Sequence, residues 1–329
     1  MKKKMIAGLL GAVLLCGNPF PAFVGGVPDV AIAAAQAASE TRPLRYFMQP
    51  EGVSGVETPY GNNPSVGRYV QAGDAKIYYE VYGKGTPVFV FHGGGVGTPY
   101  EMGQIIDRLR QDYQVIVVST RGHGRSEIGH SPLTYEQKAE DMRAVMREVT
   151  DAPAVLVGFS DGAYTAYKLA AMRPEAVERV VAIGAGTLRK GFFAAGTLTV
   201  AEMEKIDKAF IEQQRSVMPE PERLQEFWTR YTDFWSQTEV GAELFGAIRC
   251  PVLLIAGDED DHAPIATMME AERMIPNARL CIVPKAWHTA FLDNFPVTWA
   301  AMEDFLRQDA KDLAPSRKVE YNAHWQFTK

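Results

Sequence analysis

Cysteine is scarce in this sequence: it occurs three times in 329 residues, at positions 16, 250 and 281. A dense disulfide framework of the kind that holds small secreted domains together is therefore excluded. Cys250 and Cys281 each lie at or in an apolar, strand-like run. This favours two separate buried thiols, although an oxidising compartment would allow them to pair. Because no Cys/His spacing typical of a metal centre occurs, we expect no metal and no other cofactor.

Basic charge and long apolar segments are also lacking. The chain has 34 Lys and Arg residues against 40 Asp and Glu residues, which gives a net charge of −6 at pH 7. Without a basic stripe, nucleic acid is not expected as a partner. No apolar run approaches the roughly 20 residues that a helix needs to cross a bilayer. We therefore expect no stable membrane anchor in the mature protein.

The N-terminus has the pattern of a secretory signal peptide. A basic leader, MKKK, precedes the apolar run MIAGLLGAVLLC, which ends before Gly17-Asn18-Pro19. Further on, Ala35-Gln36-Ala37 is a small-x-small cleavage signature. The sequence therefore predicts a signal peptide over residues 1–37 and an exported protein that is periplasmic or extracellular after cleavage.

Two further assignments concern the region around this leader. Cys16 could carry a lipid instead, but the residue before it, Leu15, is bulky where a small residue is expected. Residues 38–66 are rich in Gly, Pro and Asn, a composition typical of loops. They are predicted to form a flexible arm or linker.

Uninterrupted apolar runs alternate with amphipathic segments through most of the remaining chain. This pattern predicts an α/β fold with a mostly parallel central sheet and helices on both faces, beginning with a hairpin around Gly73-Asp74. The alternation lapses into helices alone and then resumes. We therefore divide the chain into a core of residues 67–187 and 248–308, an inserted helical cap of residues 188–247 and a polar tail of residues 309–329. Helices of the core are predicted near 100–110, 135–149, 161–172 and 290–307.

A serine lies between two glycines where a predicted strand meets a predicted helix, in the sequence GFSDG that begins at Gly158. Such a turn lifts the Ser160 hydroxyl beyond the carboxyl edge of the sheet, where open α/β sheets bind ligands. The following helix directs free N–H groups and the positive end of its dipole at the same spot, and the Asp161 side chain is expected to complement that dipole. The context indicates that Ser160 is a nucleophile.

A serine nucleophile needs a base and a carboxylate that orients the base. His288 follows the last core strand, and an acidic cluster follows the strand before it, so both reach the sheet edge that carries Ser160. The chain order serine, acid, histidine is the one expected for this architecture. The residues alone leave open whether Asp258, Asp260 or Asp261 orients His288.

Together these motifs resemble those of the α/β-hydrolase fold, in the broad group with a helical cap inserted between two late core strands. The resemblance covers residues 68–307 and rests on HGGG after the third strand, RGHGRS, GFSDG, PVLLIAGDED and AWHTAFLDNFP. It implies that the acid is Asp260, the fourth residue of the family's G-x-x-D pattern. It also implies an oxyanion hole formed by the backbone N–H groups of Gly94 and Asp161.

The resemblance implies a serine hydrolase that cleaves a small-molecule carboxylic ester through an acyl-enzyme. Lactones, small-peptide amides, carbon–carbon bonds and perhydrolysis are alternatives that use the same residues. A receptor-like protein that binds a ligand with little turnover is the alternative from another class. The aromatic segment from Trp228 to Trp235 either packs the cap onto the core or lines the pocket. In the second case it favours a substrate with an apolar group.

Overall fold

The computed structural model describes residues 44–310 and 312–313. The predicted signal peptide, its cleavage site, Cys16 and nearly all of the predicted tail lie outside these residues. Eight strands form one sheet in the order β1-β2-β4-β3-β5-β6-β7-β8. In chain order the strands are β1 Gly67–Ala72, β2 Ala75–Gly83, β3 Pro87–Phe91, β4 Gln114–Val118, β5 Ala154–Phe159, β6 Val177–Ile183, β7 Val252–Gly257 and β8 Ala278–Val283.

The sheet is antiparallel at one edge and parallel elsewhere. β1 and β2 form the predicted hairpin, with Ala72 opposite Ala75, and β2 pairs antiparallel with β4. All remaining pairs are parallel. Every residue of β5 and of β7 is buried, as expected for strands covered on both faces. The carboxyl ends of these strands meet at the edge where Ser160 and Asp260 were predicted to lie.

Helices cover both faces of the sheet, as the alternating pattern predicts. One apolar cluster packs α2, α3, α6 and α7 against one face, and a second packs α1, α8 and α9 against the other. Each fully buried Leu, Ile or Phe side chain contributes roughly 1.5–3 kcal/mol to stability. The helices are α1 Gly103–Leu109, α2 Tyr135–Val149, α3 Asp161–Met172, α4 Val200–Val217, α5 Leu224–Gln237, α6 Ala242–Ala247, α7 Ile265–Met274, α8 Ala290–Asp293 and α9 Phe295–Arg307.

Most predicted core helices are found at the expected positions, with two differences. The helix predicted near 100–110 begins as a 3₁₀ turn over Pro99–Met102 before α1 starts. The helix predicted over 290–307 is two helices, because the chain leaves helical geometry at Asn294 (φ −144°, ψ 70°). The Asn294 side chain accepts a hydrogen bond from the Val297 N–H and so caps the start of α9.

The cap consists of α4 and α5 and the loops that join them to the core. A β-bridge between Leu188 and Val240 brings the two ends of this insertion together. After the bridge, α6 returns to the core, where Phe245 packs edge-on against Tyr167 of α3 at 5.2 Å between ring centroids. The part that stands off the sheet therefore ends near Val240, earlier than the predicted boundary at 247. Within the cap, α4 is kinked at Asp207 (φ −149°, ψ 77°).

The described part of the predicted arm, residues 44–66, contains no helix or strand, but it is attached to the rest of the protein at several points. Tyr60 is fully buried, and its hydroxyl donates to Asp107 at 2.6 Å. The cap is a second point of attachment, where Asp207 accepts hydrogen bonds from the Arg45 side chain and from the Met48 N–H, each at 2.8 Å. This part of the arm therefore packs as part of the folded domain.

Two further predictions concern the cysteines and membrane-spanning segments. Cys250 is buried and Cys281 is half-buried, and both are free thiols. Within the described ranges, none of the helices combines the length and apolar character that crossing a bilayer would require.

Candidate active site

Ser160 lies at a sharp turn between β5 and α3. Its backbone adopts φ 50° and ψ −118°, a region that residues other than glycine rarely occupy. The two glycines of the motif are required by close backbone approach. A Cβ at Gly158 would lie 2.6 Å from the Ala163 backbone, and one at Gly162 would lie 2.4 Å from the Phe91 carbonyl oxygen. The turn therefore holds the Ser160 hydroxyl beyond the end of β5 in a strained conformation.

The structure brings Ser160, His288 and Asp260 together, as the sequence predicts. His288, in the loop after β8, places Nε2 2.9 Å from the Ser160 Oγ. Its other ring nitrogen, Nδ1, lies 2.9 Å from Asp260 Oδ2. With the ring proton on Nδ1 donated to the carboxylate, Nε2 is left to accept the serine proton. The three side chains are connected in the order that nucleophilic catalysis by serine requires.

Asp260 is held in its ionised form by its surroundings. Its side chain is fully buried, and Oδ1 accepts hydrogen bonds from the His262 N–H at 2.8 Å and the Ala263 N–H at 2.9 Å. Burial alone would raise the pKa of Asp260, but the hydrogen bond and charge of His288 and the two backbone donors bring that pKa below its ordinary value. The carboxylate is therefore available to orient the imidazole.

The two other acids that the sequence left open have different partners. Asp258 accepts a hydrogen bond from the Ala286 N–H at 3.1 Å. Asp261 is exposed and pairs with His262 Nδ1 at 2.7 Å. Asp260 is thus the acid that the structure brings to His288, which agrees with the position that the G-x-x-D pattern gives.

Aromatic rings pack against the His288 imidazole. Phe159, the residue before Ser160, lies 4.9 Å from it between ring centroids, and His262 stacks on it at 4.8 Å with the planes 23° apart. Because their packing restricts the imidazole, these rings help to hold it between Ser160 and Asp260. No pattern in the sequence predicts the stacking, since His262 precedes its partner by 26 residues in a different loop.

Asp260, Asp261 and His262 also form a group whose ligand atoms lie within 4.8 Å of one another, close enough to surround a metal ion. Both oxygens of Asp260 are already engaged by three hydrogen bonds, and His262 Nδ1 is engaged by Asp261. The contacts of Asp260 are therefore those expected of an acid that orients a histidine, and they leave no free oxygen for a metal ion.

Gly94 lies directly against the nucleophile turn. A Cβ at this position would be 2.9 Å from the Asp161 Cβ and 2.5 Å from the Trp235 ring, so glycine is required. Within the described residues, the backbone N–H groups of Gly94 and Asp161 donate to no other protein atom. Their role as oxyanion donors stays a prediction, which this proximity favours.

Two buried residues hold the loop that carries Gly94. His92 donates from Nδ1 to the Gly93 carbonyl at 2.6 Å and accepts from the Thr120 N–H at Nε2 at 3.1 Å. Burial lowers the pKa of His92 to about 4, so the ring is neutral. Glu101 accepts from the Gly93 N–H at 2.8 Å, and burial raises the pKa of this carboxyl to about 8. Glu101 was not predicted from the sequence.

The Asp161 side chain does more than complement its helix dipole, because it is buried and joins three parts of the fold. Its carboxylate pairs with the Lys138 ammonium of α2 at 2.5 Å. It also accepts from the Tyr231 hydroxyl at 2.7 Å and from Trp235 Nε1 at 3.1 Å, both on α5 of the cap. Burial would raise the pKa of Asp161, but the Lys138 charge and these donors bring it below its usual value.

Lys138 was missed, although the sequence contains a signal for it. It occupies a position in the stripe of α2 that is otherwise apolar at Tyr135, Ala139 and Met142. A lysine at such a position must find a buried partner or leave its charge uncompensated.

A cavity of about 390 Å³ opens over Ser160 between the core and the cap. In the aromatic segment of α5, one tryptophan lines the cavity and another packs the cap onto the core. Trp235 lines this cavity, whereas Trp228 is buried and donates from Nε1 to the Gly95 carbonyl at 3.1 Å. Apolar and aromatic side chains form most of the wall. They are Phe47, Val96, Tyr135, Phe159, Tyr164, Phe193, Leu198 and Trp235.

Several curated proteins are similar to this chain. Curated relatives include a pimeloyl-[acyl-carrier protein] methyl ester esterase of Legionella pneumophila, 25% identical over 251 residues, covering 70% of this chain and 99% of that protein. The sn-1-specific diacylglycerol lipase ABHD11 of Mus musculus is 26% identical over 250 residues, covering 67% and 81% of the two chains. A 2-hydroxy-6-oxo-6-(2'-aminophenyl)hexa-2,4-dienoic acid hydrolase of Metapseudomonas resinovorans is 23% identical over 253 residues, covering 70% and 87%.

Solved structures share the fold at lower identity. A thermophilic esterase from Thermogutta terrifontis superposes with a TM-score of 0.62 at 20% identity, covering 74% of this chain and 99% of that chain. The enol-lactonase from Burkholderia xenovorans gives 0.61 at 22% identity, covering 73% and 100%. The sequence model of the alpha/beta hydrolase family matches residues 88–302, a range that contains Ser160, Asp260 and His288. This chain therefore belongs to the alpha/beta hydrolase family.

Proposed function

We propose that this protein is a serine hydrolase that cleaves carboxylic esters, or closely related acyl compounds, through an acyl-enzyme. The observation that carries the proposal is the pair of 2.9 Å hydrogen bonds that connect Ser160 through His288 to Asp260 beneath an apolar cavity. Relatives named as an esterase and a lipase, which both act on acyl bonds, support it.

In the first half of the reaction, Ser160 Oγ attacks the carbonyl carbon of the substrate. His288 Nε2 takes the hydroxyl proton, and Asp260 stabilises the imidazolium that forms. The negative charge on the carbonyl oxygen is accepted by the N–H groups of Gly94 and Asp161. Each such donor is worth about 3 kcal/mol in comparable sites. When the tetrahedral intermediate collapses, His288 returns the proton to the leaving alcohol, and the acyl group stays on Ser160.

Water completes the cycle by the same route in reverse. His288 takes a proton from the water molecule as its oxygen attacks the acyl-enzyme carbonyl, and the proton then passes to the Ser160 oxygen as the acid leaves. The Trp235 and Phe193 rings line the cavity above the serine, where the acyl group would lie.

The proposal is tested with p-nitrophenyl butyrate and a fluorophosphonate probe. We expect turnover of the ester by the mature protein, labelling at Ser160 alone by intact-mass and peptide analysis, and loss of both in Ser160→Ala. Asp260→Asn should lower kcat by roughly 10⁴-fold because the amide favours the wrong imidazole tautomer.

Asp261→Asn is the matched control, since the same substitution is made at an exposed neighbour that does not contact His288. An adduct at another residue would contradict the mechanism. Stoichiometric acylation of Ser160 without turnover would indicate the receptor-like alternative instead. Loss of activity in Asp261→Asn with full activity in Asp260→Asn would show that the orienting acid is wrong.

A further inference from the structure

The cavity over Ser160 has a one-sided charge composition. The lining residues with polar side-chain atoms are Ser160, Thr197, Thr289, Tyr135, Tyr164, Trp235, the two histidines and the acids Glu101 and Asp161. Among the described residues that line it, there is neither a lysine nor an arginine. A ligand carboxylate inside this cavity would therefore have no lysine or arginine to pair with.

The buried cation behind the wall is not available to a ligand. The Lys138 ammonium is buried and already paired with Asp161, and it also donates to the Tyr231 hydroxyl. A substrate anion would have to compete with this short, fully desolvated ion pair, and breaking it would leave Asp161 uncompensated. Lys138 therefore balances the charge of Asp161 and contributes no positive charge to the cavity.

Glu101 makes the cavity still less suitable for an anion. This carboxyl is buried at the cavity wall, and its Oε1 faces the loop of Gly93. No cation pairs with it among the hydrogen bonds and ion pairs of the described residues. A second carboxyl group brought close to it would either face an ionised Glu101 or force it to remain protonated.

From this charge composition we propose that the site selects acyl groups that carry no negative charge and rejects acyl groups that end in a carboxylate. The physical reason is that a carboxylate moved from water into an apolar cavity must be paired or pays its full desolvation cost. The selection rests on the proposed function, because it concerns the acyl group that Ser160 would accept.

Two esters of the same chain length test the proposal. They are p-nitrophenyl hexanoate and the mono-p-nitrophenyl ester of adipic acid, which differ by the terminal carboxylate. After correction for the background measured with Ser160→Ala, we expect kcat/KM for the hexanoate to exceed that for the adipate ester by at least thirtyfold. Equal values, or a preference for the adipate ester, would overturn the charge selection and leave the proposed function intact. Failure to turn over either ester would instead count against the proposed function and, with it, against the selection.

A cation introduced at the cavity wall provides the second test. Thr197 is exposed, lines the cavity, and donates only to the nearby Ala194 carbonyl at 3.1 Å. Thr197→Arg should lower the hexanoate-to-adipate ratio of kcat/KM by at least tenfold. The uncharged Thr197→Gln, which is also polar and unbranched, should leave the ratio near that of the unmodified protein. An equal shift in both variants would show that the ratio responds to size and not to charge, and would contradict the proposal.

Discussion

At the scale of single residues, Glu101 is a carboxyl whose burial opposes its ionisation. Because burial raises its pKa from 4.5 to about 8, the folded protein keeps a proton that the unfolded chain has lost over this interval. The contribution of Glu101 to the free energy of unfolding is therefore fully present below pH 4.5 and is lost as the pH rises toward 8. Each pH unit in this interval costs up to about 1.4 kcal/mol.

We therefore expect Glu101→Gln to flatten the pH dependence of stability. The amide oxygen can still accept the Gly93 N–H, but it has no proton to lose. Relative to the unmodified protein, the variant should gain up to a few kcal/mol in free energy of unfolding between pH 5 and pH 8. Urea denaturation at pH 5, 6.5 and 8 measures this difference. Glu148→Gln, which changes an exposed glutamate, is the control, and a parallel pH profile for Glu101→Gln would refute the account.

The candidate catalytic residues were predictable from sequence for a physical reason. Ser160, Asp260 and His288 each follow a strand in the parallel part of the sheet, and the carboxyl ends of such strands share one edge. No comparable rule predicts the roles of Glu101 and Lys138. Their roles depend on contacts with Gly93 and Asp161 that only the packed structure brings together.

At the scale of elements, the Lys138–Asp161 pair connects α2 and the nucleophile turn to α5 of the cap. Both side chains are at most 2% exposed, so removing either partner leaves a buried charge uncompensated. Lys138→Met and Asp161→Asn should each lower the free energy of unfolding by about 3–5 kcal/mol.

The double variant distinguishes loss of the ion pair from a general disruption of the fold. Lys138→Met with Asp161→Asn removes both charges and keeps an oxygen that can accept from Tyr231 and Trp235. We expect it to be no less stable than either single variant, which a double-mutant cycle in urea would report as a coupling of several kcal/mol. Losses that simply add would mean that the two charges do not stabilise each other.

Element boundaries were predicted with uneven success. α2 was predicted at its observed bounds, because its apolar stripe is regular and Thr134 caps its start by accepting from the Gln137 N–H. The break at Asn294 was missed because the apolar period continues through it. Asn294 followed by Pro296 is the local signal, since asparagine favours the cap position and proline is tolerated in the first turn.

At the scale of the whole molecule, we propose that the protein works outside the cytoplasm. The motivation is the basic leader, the short apolar run and the cleavage signature at Ala35-Gln36-Ala37. N-terminal sequencing of protein isolated from its native host should give a mature N-terminus near Ala38, in a periplasmic or extracellular fraction. An intact Met1 in the cytoplasm, or a lipid on Cys16 in a membrane fraction, would contradict this proposal.

The attachment of the arm to the cap also has a consequence for the order in which the molecule forms. Arg45 and Asp207 are separated by 162 positions in the chain, and Phe47 beside them forms one wall of the cavity. Contacts between such distant segments require closure of a long loop, and they form slowly compared with local helices and the β1–β2 hairpin. A chain that refolds from denaturant is therefore expected to regain its helices and the β1–β2 hairpin before the arm docks. The cavity over Ser160 would be completed in a later step, when the arm docks.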